Sequence, residues 1–119
     1  IASRNVPAPG PGASAYSVPK AGQTQLARIA ALELGKYGIR VNIIHPDCVY
    51  DTGLWTSKAL ERSARRYGLT VEEYKSRNIL KTDVKTIEVA RVGFTIASSI
   101  FSKTTGAQIP IDGGNERVI

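Results

Sequence analysis

The chain has 119 residues, 42% of them hydrophobic and 22% charged, proportions of an ordinary globular domain that exclude a disordered tail or a fibre. No apolar run approaches the roughly 18–20 residues of a bilayer crossing and no signal-peptide pattern opens the chain, so it reads as cytoplasmic, with no membrane partner. The net charge of +6 comes from Lys and Arg dispersed among Asp and Glu, which argues against a nucleic-acid footprint, and a single cysteine, Cys48, excludes an internal disulfide.

In chain order, residues 1–3 read as the end of a strand whose beginning is absent. With no methionine in the sequence, the expectation is that residues 1–119 are the C-terminal part of one larger domain. Residues 4–15, RNVPAPGPGASA, hold three prolines and two glycines and predict a loop. From Tyr16 to about Tyr37 the apolar positions Leu26, Ile29, Ala30, Leu32 and Leu34 recur at helical spacing, and Gly35 and Gly38 supply the stop. IRVNII, residues 39–44, predicts a buried parallel strand closed by His45-Pro46. A charged excursion over 52–80 carries two short helices, one over 55–66 and one beginning at Thr70, where Thr70-Val71-Glu72-Glu73 forms a capping box. A helix over about 84–100 and a short strand within TGAQIPIDGG, ending in Gly113-Gly114, complete the order. The alternation predicts an α/β fold with a parallel sheet, of which only the second half is present. An interior strand at 39–44 needs neighbours on both sides, so a folded sample is expected to include an N-terminal half.

Tyr16 and Lys20, four residues apart, lie on one helix face, where an ammonium favours the phenolate and so proton exchange. The same spacing also fits a half-buried Tyr beside a solvated Lys. Ser3 precedes Tyr16 by thirteen residues at the presumed strand end, and the small residues Ala13, Ser14, Ala15, Ser17, Ala21 and Gly22 leave room for a flat ring to approach. His45, the lone histidine, cannot build a metal site and reads as a hydrogen-bonded structural residue. Cys48 is either an inert buried thiol or a nucleophile for an aldehyde. Asp47 and Asp51 suit a substrate hydroxyl or the cap of the following helix. Tyr50 and Trp55 suit a pocket wall or the packing of the excursion, and Arg62, Arg65 and Arg66 suit a phosphorylated sugar or a solvated face.

Taken together, Ser3, Tyr16-Ser-Val-Pro-Lys20, Leu32-Glu-Leu-Gly35, Gly38-Ile-Arg-Val-Asn42, Pro46 and Asp112-Gly113-Gly114 resemble the C-terminal half of a short-chain dehydrogenase/reductase. That resemblance implies a Rossmann-like, doubly wound parallel sheet with flanking helices. It implies Tyr16 as general acid/base, Ser3 as hydrogen-bond partner of the substrate oxygen, and Lys20 as the cation that lowers the tyrosine pKa and holds the nicotinamide ribose. Tyr16, Lys20, Pro46, Asp47 and Val49 are then cofactor-binding, and Cys48, Tyr50 and Trp55 border the substrate. The implied cofactor is NAD, with NADP open because the residues that choose between them belong to the other half. Homo-oligomers are implied too, through the Tyr16 helix and the 84–100 helix or the last strand. The chain departs from the family in having Pro46-Asp47-Cys48-Val49 where Pro-Gly is usual, and in displacing the following threonine to Thr52.

HPDCVYDTGLW, YGLTVEEYKSRNILK and KTTGAQIPIDGGNERVI further resemble the dehydrogenase part of bifunctional rhamnulose-1-phosphate aldolase/short-chain dehydrogenases. This implies oxidation of lactaldehyde, a small aldehyde from deoxysugar breakdown, to lactate, an aldolase domain in the same polypeptide, and a natural terminus at NERVI. The alternatives are a sugar-alcohol or hydroxy-acyl dehydrogenase with the same site, and a non-catalytic binding module.

Overall fold

The computed structural model describes residues 1–114; the terminal NERVI motif lies outside the described residues. Helix α1, Ser14–Leu34, begins two residues ahead of Tyr16. Its end is set by Gly38, which takes a left-handed conformation at φ 73° after a 3-10 turn over Gly35–Tyr37 and donates its N–H to the Gly35 carbonyl, a geometry glycine adopts without steric cost.

Strand β1 spans Ile43–Pro46, so the predicted 39–44 strand starts late and the His45-Pro46 pair expected to close it lies inside it. The reason is polar. The amide of Val41 donates to Thr105 Oγ1 at 3.0 Å, while the Asn42 side chain donates to the Thr104 carbonyl and accepts the Ala107 amide, each at 3.0 Å. Residues 39–42 are thereby committed to the 104–107 turn.

Strand β2, Gln108–Ile111, pairs parallel with β1 from Ile43↔Gln108 to Pro46↔Ile111. On the other side of β1 the amides of Ala2 and Arg4 donate to the carbonyls of Ile44 and Pro46 at 2.8 and 3.0 Å, the i, i+2 pattern of a parallel ladder. The opening residues thus continue the sheet and β1 is interior, as its apolar composition predicts. A buried ion pair, Arg4 Nε to Asp112 Oδ2 at 2.6 Å, ties the outer segment to the end of β2.

Ile44 faces helix α4, Thr86–Ala97, and heads the core of Cys48, Val84, Val89 and Ile96, with Val92, Phe101, Ile109 and Ile111 packed against it. By strand alternation Ile43 and His45, both buried, point to the other face. The predicted 84–100 helix is divided because Ser98 is extended (φ −74°, ψ 173°), leaving a separate 3-10 turn over Ser99–Phe101. Arg40 stabilises that break: its two terminal nitrogens donate to the carbonyls of Ile96, Ala97, Ser98 and Phe101 at 2.8–3.2 Å, satisfying the orphan acceptors of the helix end.

Between β1 and α4 lie α2, Ser57–Arg66, capped by Thr56, and α3, Val71–Lys75, whose Thr70/Glu73 capping box is formed as predicted. The excursion is fastened back to the sheet end by the Asp112-Gly113-Gly114 turn. Ile79 and Leu80 donate their amides to the Gly114 and Gly113 carbonyls at 2.9 Å. Gly113, at φ 68°, lies so close to Asn78 that a Cβ would stand 2.7 Å from that side chain; only glycine fits there. Several large apolar side chains stay on the surface, among them Leu26 and Leu32 of α1, Phe94 of α4, and Ile100.

Replacing Arg40 by Met should lower the stability of the full natural polypeptide by about 2–4 kcal/mol, and Lys should recover less than half of it, because an ammonium cannot span four carbonyls. Chemical denaturation of the three proteins measures this directly.

Candidate active site

The carboxyl end of β1, the opening segment and the first turns of α1 converge on one cavity of about 680 Å³. Ser3 is held between two residues whose amides are bonded to β1. It is buried, and its Oγ accepts the Asn5 N–H at 3.2 Å, which leaves the hydroxyl proton for another acceptor. Lys20 reaches back from α1: its Nζ donates to the Ile1 carbonyl at 3.2 Å and to Gln23 Oε1 at 3.3 Å, and lies 6.0 Å from the centroid of the Tyr16 ring. One lysine therefore tethers the helix carrying Tyr16 to the segment carrying Ser3. Pro19, between them, has no N–H for the Ala15 carbonyl, which leaves this turn of the helix less regular.

Of the residues singled out in the sequence, Ser3, Tyr16, Lys20, Pro46, Asp47, Cys48, Val49 and Trp55 all line this cavity, and so does Thr52. Tyr50 is not among the lining residues. It stands edge-on to Trp55, ring centroids 5.2 Å apart at 72°, and its hydroxyl donates to the Tyr74 carbonyl at 3.4 Å, so it supports the wall. Burial raises its pKa well above the usual phenol range, as does the neighbouring Cys48.

Asp51 faces neither a substrate space nor the following helix α2. Its carboxylate accepts the amide of Thr86 at 3.0 and 3.1 Å and the Thr86 hydroxyl at 2.9 Å, capping the distant α4. Asp47 forms a loose ion pair with Arg77, Oδ2 to the guanidinium at 3.8 Å. Arg62, Arg65 and Arg66 are all exposed on α2; Arg66 borders the cavity and donates to the Pro11 carbonyl at 3.0 Å. His45 is buried, with both ring nitrogens engaged.

The far wall of the cavity, apart from Arg66, is built of residues the sequence does not single out. Ser63, Arg66, Tyr67, Tyr74 and Arg77 line it. The Arg77 guanidinium sits 4.5 Å from the Tyr74 ring centroid and 4.9 Å from that of Tyr67, a stack that orients a planar cation without closing off its N–H groups. Tyr67 follows the end of α2, Tyr74 lies in α3 and Arg77 just beyond it, so no spacing within one element marks them in the sequence.

Cys48 is almost wholly inaccessible at 3% exposure and adopts φ 59°, a conformation that costs a non-glycine residue roughly 1–2 kcal/mol. Burial, then the charge of Asp47, pushes its thiol up from the ordinary cysteine range. The thiol is a poor nucleophile at neutral pH.

A family model described as Enoyl-(Acyl carrier protein) reductase matches residues 1–116. The chain is 40% identical over 119 residues to YuxG, an uncharacterised oxidoreductase of Bacillus subtilis (strain 168), covering 96% of this chain and 17% of that one. Among solved structures, sorbitol-6-phosphate 2-dehydrogenase SrlD of Erwinia amylovora superposes with a TM-score of 0.84 at 28% identity, over 96% of this chain and 46% of that one. An NADPH-bound short chain oxidoreductase of Pseudomonas aeruginosa PAO1 with an atypical catalytic centre gives 0.80 at 30% identity, over 98% and 44%. The chain therefore spans less than half the length of each of these proteins.

Because burial raises the Cys48 pKa, its thiolate fraction at pH 8 should be small. Iodoacetamide labelling of residue 48 in the native polypeptide should be at least about tenfold slower than in the urea-denatured protein, with the rate still rising as pH increases past the ordinary thiol range. Peptide mass spectrometry at several pH values checks both statements.

Proposed function

The chain belongs to the short-chain dehydrogenase/reductase family, and from that membership we propose that it forms the catalytic half of an NAD(P)-dependent oxidoreductase with Ser3, Tyr16 and Lys20 as its working residues. The observation that carries the reading is that these three side chains, drawn from a strand end and a helix, line one cavity together with Pro46, Asp47 and Val49. The residues present fit a nicotinamide nucleotide. Pro46, Val49 and Val89 offer an apolar wall, and the three-donor ammonium of Lys20 keeps one N–H after serving Ile1 and Gln23. A bound nicotinamide supplies the hydride acceptor.

The chain's own residues then handle the proton. Ser3, with its Oγ oriented by the Asn5 amide, donates to the reacting oxygen and fixes its position, the Tyr16 phenol oxygen exchanges the proton of that oxygen, and Lys20 holds a ribose hydroxyl with its free N–H.

For substrate, the reading takes lactaldehyde with NAD, on the strength of the sequence motifs at 45–55, 67–81 and 103–119. Hydride leaves only from a tetrahedral carbon bearing a hydroxyl, so water must first add to the aldehyde. The hydrate then yields the acid as Tyr16 takes the hydroxyl proton and hydride departs. Thiol addition by Cys48 is disfavoured by its burial and raised pKa. The length of the Bacillus relative, of which this chain covers 17% against 46% of SrlD, leaves room for more than a dehydrogenase domain, in keeping with an aldolase fusion. The other half of the dehydrogenase domain and further copies of the protein are the partners proposed for the exposed apolar faces. A second reading, a sugar-alcohol dehydrogenase, draws on the superposition with SrlD.

In the full natural polypeptide, Tyr16→Phe should fold normally, bind NAD, and lose about 10²- to 10⁴-fold in kcat for L-lactaldehyde, the range of a lost general acid/base. Following NADH absorbance for parent and variant, with sorbitol 6-phosphate as the second substrate, decides it. Activity retained in the variant would remove Tyr16 from the mechanism, and turnover of sorbitol 6-phosphate alone would replace the substrate.

A further inference from the structure

We infer that His45 is a positioning residue for Ser3, acting from behind the site through the serine's own backbone. His45 is 2% exposed and the largest fully buried side chain among the described residues, and it does not line the cavity, so it has no direct access to a substrate. Its Nδ1 lies 2.7 Å from the Ser3 carbonyl oxygen and its Nε2 3.0 Å from the Gln108 side-chain amide. A carbonyl only accepts, so Nδ1 carries the proton. Nε2 faces Gln108 Oε1, and its role there follows from the tautomer and from which way the Gln108 amide is turned. The ring therefore spans from the Ser3 segment to β2, with each nitrogen assigned one partner.

The carbonyl it holds is also the acceptor for the Val6 amide at 3.1 Å, the bond that turns the chain away from the sheet. The planar peptide after Ser3 is held at both ends: its N–H, that of Arg4, bonds the Pro46 carbonyl of β1, and its carbonyl is held by the imidazole and the Val6 amide. The next peptide, after Arg4, carries the Asn5 nitrogen, and the Asn5 N–H bonds back to Ser3 Oγ, so a tilt of the first peptide is passed to the second. Rotating the plane swings the hydroxyl, and a displacement of about 1 Å at a group that orients substrate can cost on the order of a hundredfold in rate.

The inference rests on Ser3 bonding the reacting oxygen. Its test is kinetic and uses the full natural polypeptide with whichever of L-lactaldehyde and sorbitol 6-phosphate it turns over. An Asn side chain places its amide nitrogen near the Nδ1 position, whereas Gln reaches only toward Nε2. His45→Asn should thus keep kcat within a few-fold, and His45→Gln should lose about 10- to 100-fold in kcat with KM for NAD unchanged. Ser3→Ala/His45→Gln should be no slower than Ser3→Ala, because a residue acting only through Ser3 has nothing left to position.

Losses that multiply in the double variant, or full activity in His45→Gln, would overturn the inference while leaving the Ser3 reading intact; full activity in Ser3→Ala would overturn both. Deuterium exchange provides a readout free of substrate choice: in His45→Gln the amides of residues 4–8 should exchange at least tenfold faster while those of 41–46 keep the parent rate. Equal acceleration in both segments, or none in 4–8, would assign His45 to general stability and sink the proposal.

Discussion

Two main-chain hydrogen bonds hold the site in place, Ala2 to Ile44 and Arg4 to Pro46. They make β1 an interior strand, bonded to the opening segment on one side and to β2 on the other, and they bracket Ser3 between two fixed amides. Without them the main chain on either side of the serine would be unattached to β1. With them, its position is set by a ladder whose other members also carry Pro46 and, just beyond, Asp47, Cys48 and Val49. The outcome obeys the general rule of open parallel sheets, in which ligands bind beyond the carboxyl ends of the strands, where side chains from different strands converge. The Arg4–Asp112 pair extends this constraint across β1 to the Asp112-Gly113-Gly114 turn, whose carbonyls receive the returning excursion. A buried ion pair adds little net stability, but neither partner tolerates loss of the other, so the arrangement resists partial opening.

The cavity wall opposite is built on different physics. Tyr50, Trp55, Tyr67 and Tyr74 pack with ring centroids 5.2–6.3 Å apart, and Arg77 lies over two of them. Here tertiary side-chain contacts do the holding, in tilted and edge-on geometries each worth about 0.5–1.5 kcal/mol beyond burial. The Asp47–Arg77 pair links that wall to the end of β1, and the Asn78 amide, 3.5 Å from Cys48 Sγ, links it again one residue on. The excursion leaves the sheet at Cys48 and returns at Val84, where the Val84 amide bonds the Cys48 carbonyl at 3.0 Å. It is therefore a closed loop with a short neck, free to shape a pocket without disturbing the sheet.

Much of the architecture could be read from local pattern, because its determinants are local. Periodicity from Leu26 to Leu34, the Thr70/Glu73 box and the left-handed Gly38 each act within one or two turns of chain. The errors share an opposite cause. Arg40, Val41 and Asn42 look like strand residues, yet partners more than fifty positions away claim their polar groups and delay β1 to Ile43. Asp51 looks like the cap of the next helix but caps α4, thirty-five residues downstream. Arg77 was overlooked because a single arginine in a charged stretch has no distinctive signature until Tyr67 and Tyr74 fold against it. Tyr16, Lys20 and Ser3 were legible through a motif, whereas Tyr50 and Trp55, equal candidates by type, separate into supporting and lining roles only in three dimensions.

The two walls are held by separable means. Ser3, Tyr16 and Lys20 are placed by backbone ladders, a long helix and a lysine tether, all insensitive to which side chains occupy the excursion. Tyr67, Tyr74 and Arg77 are placed chiefly by packing within the excursion, so on the proposed function exchanging them reshapes the cavity while leaving Ser3, Tyr16 and Lys20 where they are. Interactions that substrate and transition state share equally alter KM, and those made only as charge moves on the reacting oxygen alter kcat. On the proposed function, a chain organised this way would confine the chemistry to the sheet end and leave choice of substrate to the loop, so that the reaction type is argued from a few residues near the start and the substrate from residues 47–85.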